Sequence, residues 1–346
     1  MVASVQEQAV IDFYRYPPVG DEDWGYTFAT AMVRVLETTM LSRTALLDMA
    51  NAENFSAAAE ALSGSEYAIS GAGKNFVEIE KMLLERRSAV RALFVELMHD
   101  PAVVELLWAR EDFSNMRLAV RRVVTEKAIG VDYSDEGSVG AEEFEEIFEQ
   151  ENYSRFPDYL QDAVEEAVLG YYQAKDIRQI DYGIDRVQAA YKIRRARELG
   201  SVFLESLFRT QIDLMNIRTM LRLKAAGREE KEHFMAGGFV ETGRLGHCLD
   251  VGYEALGPLF YATPYHDVVE GGVSYLTAER SFLRLERLCE EHLMGFLRST
   301  QSLAAGPQPV IAYLLMKENE IRTVRMLLTC KKNELDAKLI LDRLSE

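Results

Sequence analysis

The sequence predicts an all-α protein made of three similar subdomains. Apolar residues recur at helical spacing along nearly the whole chain, strand-type alternation is close to absent, and one helical pattern of polar residues returns twice. The pattern is clearest between Leu204 and Lys224, where Leu207, Phe208, Ile212, Met215 and Leu223 keep helical spacing while Asp213, Asn216, Arg218 and Arg222 thread polar groups through the same helix. Asp213 to Asn216 is an i,i+3 step and Arg218 to Arg222 an i,i+4 step, so each pair shares a face. Upstream, Asp112, Asn115, Arg117 and Arg121 fall into the same register without a gap. Downstream, Glu320, Thr323 and Arg325 occupy the same offsets, with Thr323 standing where the repeat calls for Asn and Lys331 matching Lys224. The copies are 101 and 107 residues apart.

In chain order, residues 1–24 form a turn-rich leader with Pro17, Pro18 and Gly20, and a helical run starts near Gly25, continuing through Arg34, Met40, Leu41 and Leu47. A short helix is expected at 55–62, capped by Asn54 or Ser56. Glycines at 64, 71 and 73 then break the chain. A continuous helical pattern from Phe76 to His99 stops at Asp100 and Pro101, where proline disfavours helix in the preceding residue. The first helix of the repeated pattern follows, from Ala102 to Lys127. Residues 130–140 read as a loop, 141–152 as an acidic helix start favoured by the macrodipole, and 158–172 as a helix. From Asp181 the pattern runs to Leu199, meets Gly200 as a hinge or tight junction, and resumes through the central helix to Ala226. Glycines at 237, 238, 243, 246 and 252 punctuate short helices, residues 258–264 form a connector, and helices are expected at 276–299, 308–331 and 335–344. The total is about fifteen helices. The expected organisation is a leader at 1–24 and subdomains at 25–140, 141–240 and 241–346.

With 346 residues and 48% hydrophobic content, the chain can bury a sizeable core. A net charge of −17 argues against a nucleic-acid partner, which would need a basic footprint. No membrane span and no signal peptide are evident, and Cys248, Cys289 and Cys330 lack any C-x-x-C pair, which suits free thiols in a reducing cytoplasm. Catalytic, cofactor and metal sites are not expected. Gly71-Ala72-Gly73-Lys74 misses the P-loop pattern, because Ala68 and Asn75 stand where Gly and Ser or Thr are needed. Two Glu-x-x-His steps, Glu96 to His99 and Glu230 to His233, evoke a di-iron bundle, but one abuts Asp100-Pro101 and the other lies in a highly charged segment. Cys289 and His292 form a single Cys/His pair, too few ligands for zinc.

The run from Ile212 to Lys224, preceded by Asp181 to Asp185 and Ala196 to Gly200, resembles the middle of the C subunit of bacterial and archaeal A/V-type rotary ATPases, a relative of the d subunit of the eukaryotic V-ATPase. Pro309 to Arg325 is similar to that family's closing helix, and Val33 to Glu37, Thr263 to Tyr265 and Leu285 to Arg287 sit in family order. Residues 1–24 have no counterpart. The resemblance implies a funnel-like bundle of three subdomains around a pseudo-threefold axis. It also implies a non-catalytic, single-copy component, peripheral to the membrane, that links the rotating central stalk to the proteolipid ring and transmits torque for ion transport coupled to ATP. A coupling part needs stiffness and docking surfaces rather than a poised nucleophile. Asp112, Asp213 and Glu320 with Arg117, Arg218 and Arg325 are the candidate internal ties of each subdomain, against the plainer expectation of exposed helix charges. The loops at 130–140 and 225–238 are candidate docking segments. Two other classes fit the residues: a helical adaptor outside the ATPase, and a di-metal helical-bundle enzyme.

Overall fold

The computed structural model describes residues 15–68, 76–125 and 132–344. Among them every regular element is a helix: fifteen α-helices joined by turns and five short 3-10 segments. The glycine-rich turn at 71–74 lies outside the described residues, as do residues 1–14 of the leader.

The described chain divides into two compact units, one formed by residues 100–250 and the other by residues 15–99 and 251–344. The first contains α5 (Pro101–Thr125), α6 (Ala141–Glu149), α7 (Asp158–Ala174), α8 (Arg178–Glu198), α9 (Val202–Ala225) and α10 (Thr242–Asp250). The second contains α1 (Thr27–Glu37), α2 (Arg43–Asn51), α3 (Phe55–Glu60) and α4 (Phe76–Leu97), then α11 (Leu256–Phe260), α12 (His266–Glu279), α13 (Leu283–Arg298), α14 (Pro307–Lys332) and α15 (Ala337–Arg343).

Local signals set many of these boundaries. The Asn54 side chain accepts from Ala57 N at the start of α3, and Ser42 and Ser201 cap α2 and α9 in the same way. Gly200, at φ +63°, makes the left-handed step between α8 and α9, so it is a tight junction. Elsewhere the chain departs from the sequence reading. The single helix expected at 276–299 is two, because α12 ends at Arg280 in a left-handed conformation. The expected connector at 258–264 begins inside α11. Proline tolerates a place in the first turn of a helix, so Pro258 does not prevent it.

Each unit has a core assembled around a long helix. In the first, Ala109, Phe113, Met116 and Val120 of α5 are buried with Phe144 and Ile147 of α6, Leu160 and Ala163 of α7 and Ile180 and Ile184 of α8. In the second, Ile321, Val324, Leu327 and Leu328 of α14 are buried with Met49 of α2, Ala58 of α3, Ile79 and Leu83 of α4 and Ile340 of α15. Helices α9 and α14 are buried on most of their circumference, which explains why apolar residues surround them instead of forming one stripe. Polar groups placed in such a helix must find partners inside the protein.

Candidate functional site

The acidic, amide and threonine members of the repeat are not exposed helix groups. Asp112, Asp213 and Asn216 are fully buried, and Asn115, Glu320 and Thr323 are nearly so. On α5, Asp112 Oδ1 accepts from Ser138 N at 2.8 Å and Val139 N at 3.2 Å, and its Oδ2 accepts from the Tyr159 hydroxyl at 2.8 Å. Asn115 lies one turn further on and exchanges two bonds of 2.8 Å with the backbone of Ser134. The two side chains pin the loop after α5 at two points, and α6 begins directly beyond the second.

The arrangement recurs on α9. Asp213 accepts from Phe239 N at 2.9 Å and Val240 N at 3.0 Å, and Asn216 exchanges two bonds of 2.8 Å with the backbone of Met235. The sequence separations match: 26 and 27 residues for each aspartate and 19 for each asparagine. Both loops approach the carboxylate through a glycine. A Cβ on Gly137 would lie 2.1 Å from Asp112 Oδ1, and one on Gly238 would lie 2.0 Å from Asp213 Oδ1.

Each carboxylate sits just before the N-terminus of a nine-residue helix, α6 or α10, where backbone N–H groups and the helix dipole favour negative charge. Burial is the largest influence on Asp112 and holds its carboxyl above the ordinary aspartate range, while the bonds from Tyr159, Val139 and Ser138 pull it back down.

On α14 the acidic residue at the repeat position takes a different set of partners. Glu320 Oε2 instead accepts from Leu41 N at 2.6 Å, and Leu41 precedes α2, a third nine-residue helix, by the same two-residue step that separates Val139 from α6 and Val240 from α10. Oε1 accepts from the Tyr67 hydroxyl at 2.7 Å and from Lys317 Nζ at 2.5 Å. Lys317 is 1% exposed, also pairs with Glu66, and lies 5.1 Å from the Tyr67 ring centroid. Thr323 does not substitute for asparagine: its hydroxyl donates to Asn319 O, one turn back on the same helix.

The arginines link neighbouring helices. Arg117 pairs with Asp185 and lies 3.8 Å from Asp181, and Arg121 pairs with Asp181, joining α5 to α8. Arg325 reaches Glu80 at 3.0 Å, joining α14 to α4, and Arg91 of α4 holds Glu318 at 2.8 Å. Arg218 is half-buried on α9, and Arg222 is exposed and lines a pocket with Thr219 and His233. Sequence reading did not connect Gly137 and Gly238 to the aspartates, although both stand 25 residues after them, nor Leu41, Tyr67 and Lys317 to Glu320, because those three carry no local signature. His99 stacks on Tyr26 and His233 on Tyr182. Among the described residues no group of three or more His, Cys, Asp and Glu is arranged to hold a metal ion, and no helix is long and apolar enough to cross a membrane.

A family profile described as ATP synthase (C/AC39) subunit matches residues 29–343. The C subunit of the V-type sodium ATPase of Enterococcus hirae is 23% identical over 328 residues, 91% of this chain and 96% of that protein. The C subunit of the V-type ATP synthase of Thermus thermophilus is 24% identical over 323 residues, 89% of this chain and 94% of its own length. The C subunit of the A-type ATP synthase of Thermococcus gammatolerans is 25% identical over 336 residues, covering 92% and 86%.

Proposed function

This chain belongs to the ATP synthase (C/AC39) subunit family, and we propose that it acts as the non-catalytic part of a V/A-type rotary ATPase that joins the central stalk to the membrane proteolipid ring and passes torque between them. The observation that carries this reading is the near end-to-end match to proteins named as the C subunit of V-type and A-type enzymes. In this role a single copy stands at the cytoplasmic face, attached to the membrane through its partners. Its three subdomains, near 25–140, 141–240 and 241–346, form a funnel around a pseudo-threefold axis.

The buried links support a mechanical role. Torque transfer requires that load on a surface loop reach the helical core without the loop yielding. Asp112 with Asn115, and Asp213 with Asn216, fix the loops after α5 and α9 to the interior of the long helices, so the candidate docking loops are stiffly mounted. A partner surface is available on α1, where Phe28 and Val35 lie seven residues apart on one face and are 71% and 66% exposed.

Tagging the chain in its source cell, purifying it from gently solubilised membranes and identifying its companions tests the proposal. Recovery of a proteolipid ring with stalk and nucleotide-binding subunits is the expected result. Recovery with unrelated soluble proteins alone would place the chain among helical adaptors. In the reconstituted enzyme, Asp213→Ala should leave ATP hydrolysis measurable while lowering the ions moved per ATP. Unchanged coupling would remove the mechanical role assigned to that link.

A further inference from the structure

A pocket of about 70 Å³ opens between α8 and α9 in the first unit. Its apolar wall is made by Ala189, Phe208, Ile212, Met215 and Met235, and Lys192 enters it from α8. The Lys192 ammonium lies 5.5 Å from the Phe208 ring centroid. Other lysines have firmer partners: Lys224 donates to the carbonyls of Cys248 and Leu249, Lys231 pairs with Asp250, and Lys317 with Glu66 and Glu320. Asp185 is the one carboxylate lining the pocket, and Arg117 already engages it.

We propose that Lys192 is a modification site whose amine is acylated by short-chain acyl phosphates, with the acyl chain seated among Ile212, Met215 and Met235. The neutral Nζ attacks the carbonyl carbon, a C–N bond forms, the bond from that carbon to the phosphate oxygen breaks, inorganic phosphate leaves, and the amine proton passes to water. The step is redox-neutral and needs no co-reactant beyond the acyl phosphate.

The surroundings favour the reactive form of the amine. Burial disfavours the ammonium, and the cations of Arg110 and Arg117 on α5 add to that effect. Asp185 on α8 opposes them, and the net result pushes the amine down to about 8. A lysine with that property is a nucleophile near neutral pH without an adjacent general base. Acylation removes the Lys192 charge and places the apolar acyl chain against apolar walls.

The test is a time course of the full chain with acetyl phosphate, read by peptide mass spectrometry, beside a synthetic peptide of residues 186–198. At pH 8 the Lys192 amine of the folded chain should react roughly tenfold faster than that of the peptide, and the advantage should close by about pH 10, where an ordinary lysine also becomes neutral. Propionyl and butyryl phosphates should widen the advantage, since only the folded chain offers the pocket. A folded rate equal to or below the peptide rate overturns the proposal. A faster rate with no preference for acyl length overturns the assignment of the acyl seat.

Discussion

Two of the three carboxylate links join residues close in sequence, and the third joins residues far apart. Asp112 and Asp213 receive backbone N–H groups 26 and 27 residues later, whereas Glu320 receives the N–H of Leu41, 279 residues away. Taken alone, closing the longer loop costs about 2 kcal/mol more in chain entropy. The chemistry differs in step. A local link can use backbone donors that the adjoining helix N-terminus presents, and Asp112 accepts from such donors and from a tyrosine hydroxyl, with no cation among these partners. The distant link likewise accepts from a tyrosine hydroxyl, that of Tyr67, whose proton is held more tightly than usual by burial and by the Glu320 charge, and it adds the buried Lys317 cation. One helix position thus anchors three nine-residue helices with different partners, the added cation accompanying the greater sequence separation.

This contrast sets the largest predicted effect. Glu320→Ala leaves Lys317 buried with Glu66 alone and removes the acceptor for Leu41 N and the Tyr67 hydroxyl, a loss of about 4 kcal/mol. Hydrogen exchange should show protection falling at both ends of the linkage, near residues 41–51 and along α14. Loss confined to α14 would mean that α2 is held by its apolar contacts. Asp213→Ala removes the acceptor of two buried N–H groups and should cost about 3 kcal/mol. Its exchange signature should remain local, between residue 235 and the end of α10. A spread of that signature into residues 41–67 would break the distinction between local and distant links.

The legibility of the sequence follows the same division. Helix α9 was readable because Asp213, Asn216 and the arginines fall in a register that α5 repeats, and a helix presents such offsets directly. The partners of those side chains were less legible: a backbone N–H carries no residue identity, so Ser138, Val139, Phe239 and Val240 left no signal. Gly137 and Gly238 alone marked where a carboxylate would meet a loop, and their shared offset becomes meaningful only after the aspartates are known to be buried. At Glu320 the register was visible but the closure was not, since Leu41 and Tyr67 are brought there by tertiary packing. Thr323 shows the opposite limit. It keeps the repeat position while its bond stays within its own helix.

Acid sharpens the comparison between the two units. His292 in the second unit is packed near the rings of Tyr16 and Tyr265, and burial, slightly opposed by the Asp267 charge, lowers it from 6.5 to about 4. A histidine with a depressed folded-state value binds fewer protons when folded than when unfolded. Its contribution is therefore full above about pH 6.5 and is lost as pH falls towards 4, with about 2 kcal/mol gone by pH 5. Asp112 in the first unit has the opposite sign: its raised value makes that unit gain relative stability as pH falls through the carboxylate range. Native-state hydrogen exchange corrected for intrinsic rates, at pH 7 and pH 5, should show protection around α13 dropping while that around α5 changes less. His292→Phe should flatten the α13 response, and an unchanged response would assign it to other groups.

The smallest effect belongs to the arginine links, and here the two units differ in degree. The Arg325–Glu80 pair is about a third exposed on each side, so solvent screens it and Arg325→Met should cost no more than about 0.5 kcal/mol. Arg117 and Arg121 share Asp181, and Arg117 also holds Asp185, so the Arg117 link belongs to a network where the Arg325 link is a pair. Networked charges hold one another in position, which reduces the side-chain entropy lost per contact, and Arg117→Met should cost about 1 kcal/mol. Double-mutant cycles of Arg325 with Glu80 and of Arg117 with Asp185, both read by urea unfolding, measure the two couplings directly. A larger coupling at Arg325 would mean that the exposed pair, rather than the network, contributes more to helix alignment.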